Sequence, residues 1–471
     1  MSVSRADNLR RIGALAWPVL IGQLAVIGFS TVDTLLVARA SPEDLAALSV
    51  GSAAYITVFI GLMGVVLAIG PIVGQLFGAG QRAQAGRQLH QATWVALGLA
   101  AGGALLLAFP FPFLALAQAT PDMEGRIRGY LLALAVALPA ALLVQAYRGF
   151  NNAISRPKAV MALQVAGLVL KVPLSTLLVF GAPAIGLPAL GVLGCGIATA
   201  IVMWLQALAA FSVLKLDRFY APFELLGRGL DRPDRRAIGT QLRLGVPMGL
   251  SILIEVSAFS LMAVFIARLG VTASAGHQIA ANLASVMFML PLSLSSATMT
   301  LVAQRVGAQD PQDARRLAWH GLQGALLLSA TVAGAIWLGR HGVVRLYTPD
   351  AAIAAVAVPL LAWVAVFHVA DAAQGMASFV LRAYRIATLP MLIYAGSLWG
   401  LGLGLGFALA FDSTGRVPAV WRGPAGYWLG ATAGLAVAAL ALCWLMARTV
   451  RRAAQGVSAA PPPQPAAADA G

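Results

Sequence analysis

Three carboxylates stand where carboxylates are costly. Asp33 in FSTVDTLLV, Glu255 in SILIEVSAF and Asp371 in FHVADAAQG each lie inside a long apolar run, while the other 14 of the 17 acidic residues fall in polar stretches or at helix ends. A charge at the centre of a membrane helix costs about 2.5–3.5 kcal/mol on insertion scales, and residues kept at that cost mark ion and substrate pathways. Like charges in a low dielectric cannot both stay bare, so two carboxylates in one half of a chain can hold a proton or a cation between them. One ammonium joins the three acids: Lys171, in VAGLVLKVPLSTLLVFG.

The neighbours of these charges suggest partners. Ser251 precedes Glu255 by one turn on the same helix face. His368 precedes Asp371 by three residues, where it either donates to the acid and relays a proton or makes a plain interhelical bond. His277, Gln278 and Asn282 in AGHQIAANLA form another polar face, suited to bonds between helices. Phe259, Met262, Met287 and Met289 read either as an adaptable apolar wall for a substrate or as ordinary packing. Lys171 lies about 21 Å into its run, too deep for its ammonium to snorkel fully to the surface. Two readings follow: a lysine solvated in a water-filled cleft, or a buried partner of Asp33 that takes the place of Na⁺ and leaves H⁺ as the coupling ion.

The positioning elements are membrane helices. The chain has 471 residues, 60% of them hydrophobic and 10% charged. Apolar windows of 18 or more residues recur, which predicts an all-α polytopic membrane protein with spans at 12–37, 45–70, 88–110, 128–150, 157–181, 188–213, 241–268, 275–302, 316–338, 352–381, 386–411 and 425–447. The net charge of +15 is a topology signal rather than a nucleic-acid footprint: with both termini cytoplasmic, 23 of the 32 Lys and Arg residues fall on the inner side. Cys195 and Cys443 lie in helical stretches as packing residues, without a metal or disulfide pattern. The opening MSVSRADNLRR leads into an uncleaved first helix.

A duplication organises the chain. At one offset of 229 residues Pro18 matches Pro247, Ala38–Arg39 matches Ala267–Arg268, Gln75 matches Gln304, Gly78–Ala79 matches Gly307–Ala308, Arg87 matches Arg316 and Gln145 matches Gln374. The expected organisation is an N-lobe over 1–214, a cytoplasmic linker over 215–240, a C-lobe over 241–450 and a disordered tail over 451–471. Two pseudo-symmetric six-helix lobes then face a central cleft, where parallel-repeat transporters hold substrate. The acids do not follow the repeat: the offset sets Asp33 opposite Met262, Glu255 opposite Val26 and Asp371 opposite Leu142.

No phosphate loop, dinucleotide fingerprint or catalytic triad is present, so neither an ATPase nor an enzyme is expected, and no cofactor. The sequence resembles the multidrug and toxic compound extrusion (MATE) family, in its bacterial NorM-like branch, over about residues 8–450. The resemblance rests on AWPVLIGQLAVIGFSTVDTLLVARAS, GPIVGQLFGAGQ, AYRGFNNAISRPK, LGVLGCGIATAIV, LGVPMGLSILIEV, GHQIAANLASVMFMLPLS and AVFHVADAAQGMASFVLRAYR in that order. It implies export of cationic or aromatic drugs and dyes across the bacterial inner membrane in exchange for H⁺ or Na⁺, by a monomer working through alternating access. It also implies coupling acids at Asp33, Glu255 and Asp371, the last two being where Na⁺ would sit. The chain departs from the family at Phe367, where many relatives carry tyrosine, and at Lys171 and Ser175, where relatives carry asparagines. Ser175 is counted with Lys171 as a polar partner, and Phe367 with the substrate wall. H⁺ is therefore the favoured ion. The rival classes are a lipid-linked oligosaccharide flippase, a major-facilitator antiporter and a membrane receptor without transport. The single buried lysine beside three acids, and the lack of an acid in GQLFGAGQRAQAGR, weigh against the first two.

Overall fold

A computed structural model describes residues 4–111, 113–114, 120–183, 186–225, 229–412 and 415–458. The stretch 459–471, part of the expected disordered tail, lies outside them. Twelve helices long and apolar enough to cross a membrane are present: α1 Arg5–Ala40, α2 Pro42–Gly78, α3 Arg82–Ala108, α4 Pro121–Ala153, α5 Pro157–Phe180, α6 Gly191–Leu216, α7 Arg235–Ala267, α8 Val271–Gly307, α9 Pro311–Tyr347, α10 Ala351–Ala383, α11 Thr388–Ala410 and α12 Pro424–Ser458. All twelve expected spans are found, most of them longer. Capping residues extend them past the apolar run: Ser4 accepts from the Asp7 amide to start α1, Ser41 from Asp44 to start α2, and Asp310 from Asp313 to start α9. The linker between lobes correspondingly shortens to 217–234, and α12 carries eight residues of the expected tail, 451–458, as helix.

Many large apolar side chains face outward, among them Leu105, Leu208, Val264, Leu327 and Leu440. Water would penalise that surface; lipid does not. Inside, one core is built from the first half, including Leu89, Leu131, Leu138 and Phe150, together with Tyr220, Phe223 and Leu225 of the linker. Two others belong to the second half, with Ile12 and Ala16 of α1 reaching across into one of them.

Two local departures from regular helix matter. Pro71 has no N–H to offer the Leu67 carbonyl, so Gly70 bonds it instead at 3.0 Å and α2 breaks at Leu67–Ala68. In α11, residues Ala395–Leu403 form a π-helix. The local sequence AGSLWGLGL is rich in glycine, which weakens α-helical preference and admits the wider turn. The linker is docked rather than loose. His90 on α3 meets Asp231 at 3.0 Å and the Leu225 carbonyl at 2.9 Å, Trp94 donates to the Asp231 carbonyl at 2.9 Å, and Arg156 pairs with Asp217 at 2.5 Å.

The halves meet chiefly through α1 with α8, α2 with α7, and the end of α2 with α8. At the second contact a Cβ on Gly64 would lie 2.4 Å from the Gly249 Cα, so glycine on both helices permits the approach.

Candidate functional site

The second half brings two of the three acids together through a residue the sequence reading left out of the site. Gln374, one turn after Asp371 on α10, donates its amide to Asp371 Oδ1 at 2.9 Å and to Glu255 Oε1 of α7 at 3.3 Å. The two protons of one NH₂ group thus serve two carboxylates. Tyr394 of α11 donates its hydroxyl to Gln374 Oε1 and fixes which end of the amide faces the acids. Gln374 is 1% exposed and Asp371 5%, while Glu255 is half-buried and faces a cavity. Two signals could have found Gln374: its spacing from Asp371 and its repeat partner Gln145.

Beside Glu255 lies a cavity of about 50 Å³, lined by Phe259, Met262, Phe367, Tyr427 and the π-helical Leu398 and Gly402, among others. It is large enough for a water molecule and far smaller than a drug. Aromatic rings frame it: Phe259 lies 6.2 Å from Phe367 and 5.9 Å from Trp428, with His277 6.3 Å from Phe259. Both ring nitrogens of His277, Trp428 Nε1, Tyr427 Oη and His368 Nε2 are buried without hydrogen-bond partners. Tyr427 and Trp428 were not foreseen; on α12, their sequence surroundings carry no charge that would single them out.

Several expected partners sit otherwise. Ser251 is buried but back-bonds to the Pro247 carbonyl one turn earlier in its own helix at 2.7 Å, the usual i−4 bond of a helical serine. No hydrogen bond joins His368 to Asp371 among the described residues; Gln374 takes that acid. The face His277–Gln278–Asn282 divides: His277 is buried, Gln278 and Asn282 are exposed, and Asn282 accepts from the Tyr347 hydroxyl at 2.9 Å. Of the methionines, Met262 lines the cavity while Met287 packs in the core and Met289 is half-buried away from the lining.

In the first half, Lys171 Nζ lies 2.9 Å from Asp33 Oδ1 and 2.6 Å from Thr199 Oγ1, over the Phe29 ring at 5.5 Å. Lys171 is 0% exposed and Asp33 8%. The ammonium is thus packed against Asp33 and away from solvent. The Asp33 contact lacks hydrogen-bond alignment and is an ion pair. Ser175, one turn beyond Lys171, is buried with its hydroxyl unpartnered.

At the end of the bundle where α1 begins and α12 finishes, the halves interlock. Gln75 Nε2 of α2 donates to the Ala383 carbonyl at 2.7 Å. Its repeat counterpart Gln304 of α8 donates to the Ala153 carbonyl at 2.7 Å and to Ser155 Oγ at 2.9 Å. A Cβ on Gly78 would meet the Gln304 oxygen at 1.8 Å, and one on Gly307 the Gln75 oxygen at 1.9 Å. The paired residues first seen as a repeat are a two-fold clasp that shuts this end.

Twelve helices, a duplicated clasp and buried charges define a membrane carrier fold. The MatE family model matches residues 18–177 and again 247–408, two segments whose starts differ by the repeat offset, and the chain belongs to that family. It is 41% identical to a probable multidrug resistance protein NorM of Aromatoleum aromaticum, over 93% of either chain. It is 35% identical to the multidrug resistance protein PmpM of Pseudomonas aeruginosa, over 94% of this chain and 92% of that one. Its fold matches the crystal structure of the eukaryotic MATE transporter AtDTX14 with a TM-score of 0.82 at 19% identity, covering 96% of this chain and 99% of the other.

Proposed function

We propose that the protein is a secondary antiporter of the bacterial inner membrane. It exports aromatic organic cations, and inward H⁺ movement drives the export by alternating access. The observation that carries this reading is the Glu255–Gln374–Asp371 network opening beside an aromatic cavity. Carboxylates supply counter-charge to a cation, ring faces hold its body, and a proton arriving on either acid removes that counter-charge and releases it. The multidrug names of its relatives and the fold class support the same reading.

With both termini in the cytoplasm, the clasp closes the inner side, and the buried acids take protons from outside. Proton uptake expels the cation; the lobes then rock, the clasp opens, protons leave inward and a new cation binds the bared acids. Membrane potential contributes about 2.3 kcal/mol per charge per 100 mV to any net charge moved.

The test is dye efflux from proteoliposomes under an H⁺ gradient alone and under a Na⁺ gradient alone, with Glu255→Gln and Asp371→Asn beside the parent. The H⁺ gradient is expected to drive efflux, and each substitution to abolish it. Efflux under neither gradient overturns the antiporter reading; full activity in both variants overturns the site.

A further inference from the structure

We propose that Lys171 is a built-in cation of the first half. Its ammonium fills the position at Asp33 that a metal or organic cation would otherwise take, so that coupling ion and substrate charge are both handled at Glu255 and Asp371. The inference rests on the antiporter reading for what those two ligands are, but its test needs no transport.

The surroundings of the ammonium are those of a cation site. A carboxylate lies at 2.9 Å, a hydroxyl at 2.6 Å and an aromatic face at 5.5 Å. Thr199 donates its own proton to the Cys195 carbonyl at 3.0 Å, which turns its oxygen lone pairs to the lysine. The Ser175 hydroxyl, buried and unpartnered on the same helix face, is a further oxygen in the same neighbourhood. Removing the ammonium would leave oxygens around a buried negative charge, which is what Na⁺ binds. With the ammonium present the pair is neutral, and a second cation there would meet a like charge at short range in low dielectric.

The second half contrasts with this. Its acids share an amide, which neutralises nothing. Arg382 of α10 is buried, but no ion pair joins it to either acid among the described residues. The net negative charge for a mobile cation therefore lies there. The repeat offset places Gly400 opposite Lys171, so the tethered cation has no duplicate.

The experiment is thermal unfolding of the detergent-solubilised protein in NaCl against choline chloride at equal ionic strength. It is run in a Glu255→Gln/Asp371→Asn background, which silences the second half. With Lys171 intact, no Na⁺-specific shift is expected. Adding Lys171→Asn, or Lys171→Gln where the asparagine variant does not fold, is expected to produce a Na⁺-dependent rise of about 2–4 °C that a further Asp33→Asn removes. A folded Lys171 variant that shows no Na⁺ response overturns the proposal. So does a Na⁺ shift in the Lys171-intact protein that Asp33→Asn abolishes, a result obtainable even if no Lys171 variant folds. Efflux activity enters none of these readings, so failure here leaves the antiporter reading standing.

Discussion

Gly78→Ala places a methyl carbon 1.8 Å from the Gln304 carbonyl oxygen. An ordinary carbon–oxygen approach is about 3.3 Å, so α2 and α8 must part by roughly 1.5 Å at this point. The clasp depends on that spacing. Three side-chain hydrogen bonds cross between the halves here: Gln75 to Ala383, and Gln304 to Ala153 and to Ser155, at 2.7, 2.7 and 2.9 Å. Each joins a helix of one half to a segment of the other, so if the halves part as bodies by that distance none stays within hydrogen-bond limits. At a net value near 1 kcal/mol each, their loss shifts the equilibrium between closed and open ends by about 3 kcal/mol, a factor of roughly 150. A closed end favoured a hundredfold would then be open about half the time. The assay is the distance between spin labels at Gln81 and Gln312, both exposed at this end, in a background with Cys195 and Cys443 replaced. The expected outcome is a second, longer distance population in Gly78→Ala and in its counterpart Gly307→Ala. Gly98→Ala, where the new methyl meets nothing within 4 Å, should leave the distribution unchanged. An unaltered distribution in both clasp variants, with the protein folded, would refute the view that these residues hold the end shut.

Gln374→Leu removes the shared donor from both acids and is expected to cut efflux at least tenfold, while Tyr394→Phe, which only releases the amide, should cost about fivefold; initial rates in proteoliposomes decide both. Lys171→Met strands a buried carboxylate at a cost of about 3–5 kcal/mol, and Asp33→Asn/Lys171→Met should recover most of the lost melting temperature, whereas additive losses would show the pair is not coupled. At Asp217, the Phe219 amide and then the Arg156 guanidinium hold the carboxyl below its usual range. A depressed folded value means its contribution to linker docking is full above about pH 4 and lost as pH falls through the lowered value. Proteolysis next to the Arg156–Asp217 contact should therefore rise as pH falls through that lowered value, with Asp217→Asn already sensitive at neutral pH.

The twelve helices were legible because membrane solvation admits only internally bonded backbone, which leaves long apolar runs as an unambiguous mark. Asp33, Glu255 and Asp371 were legible from cost alone. Lys171 was legible as a charge but ambiguous as a partner, since spacing along one helix says nothing about which helix lies opposite; the 2.9 Å contact with Asp33 supplies that. Gln374 was visible only through its repeat match and its spacing from Asp371, because an amide carries no insertion penalty large enough to stand out. Ser251 and His368 misled for a shared reason. Proximity on a helix face puts groups within reach, but the Pro247 carbonyl one turn back and the Gln374 amide compete for the same bonds and win.

The duplication separates what must be symmetric from what need not be. A clasp between two halves works only if each half presents both a Gln donor and a close-approaching glycine, and the offset preserves Gln75 with Gln304 and Gly78 with Gly307. Nothing in rocking motion requires the two halves to carry the same charge chemistry, and here they do not. One half holds a sealed pair of opposite charges over Thr199; the other holds two acids on a shared amide beside a ring-lined cavity with several unsatisfied polar atoms. Protonating an acid there changes the net charge facing the cavity, whereas protonating Asp33 would strand the Lys171 ammonium. In the proposed antiport, a proton that trades with a cation would therefore do so in the second half, and the mechanical two-fold would carry a one-sided chemistry.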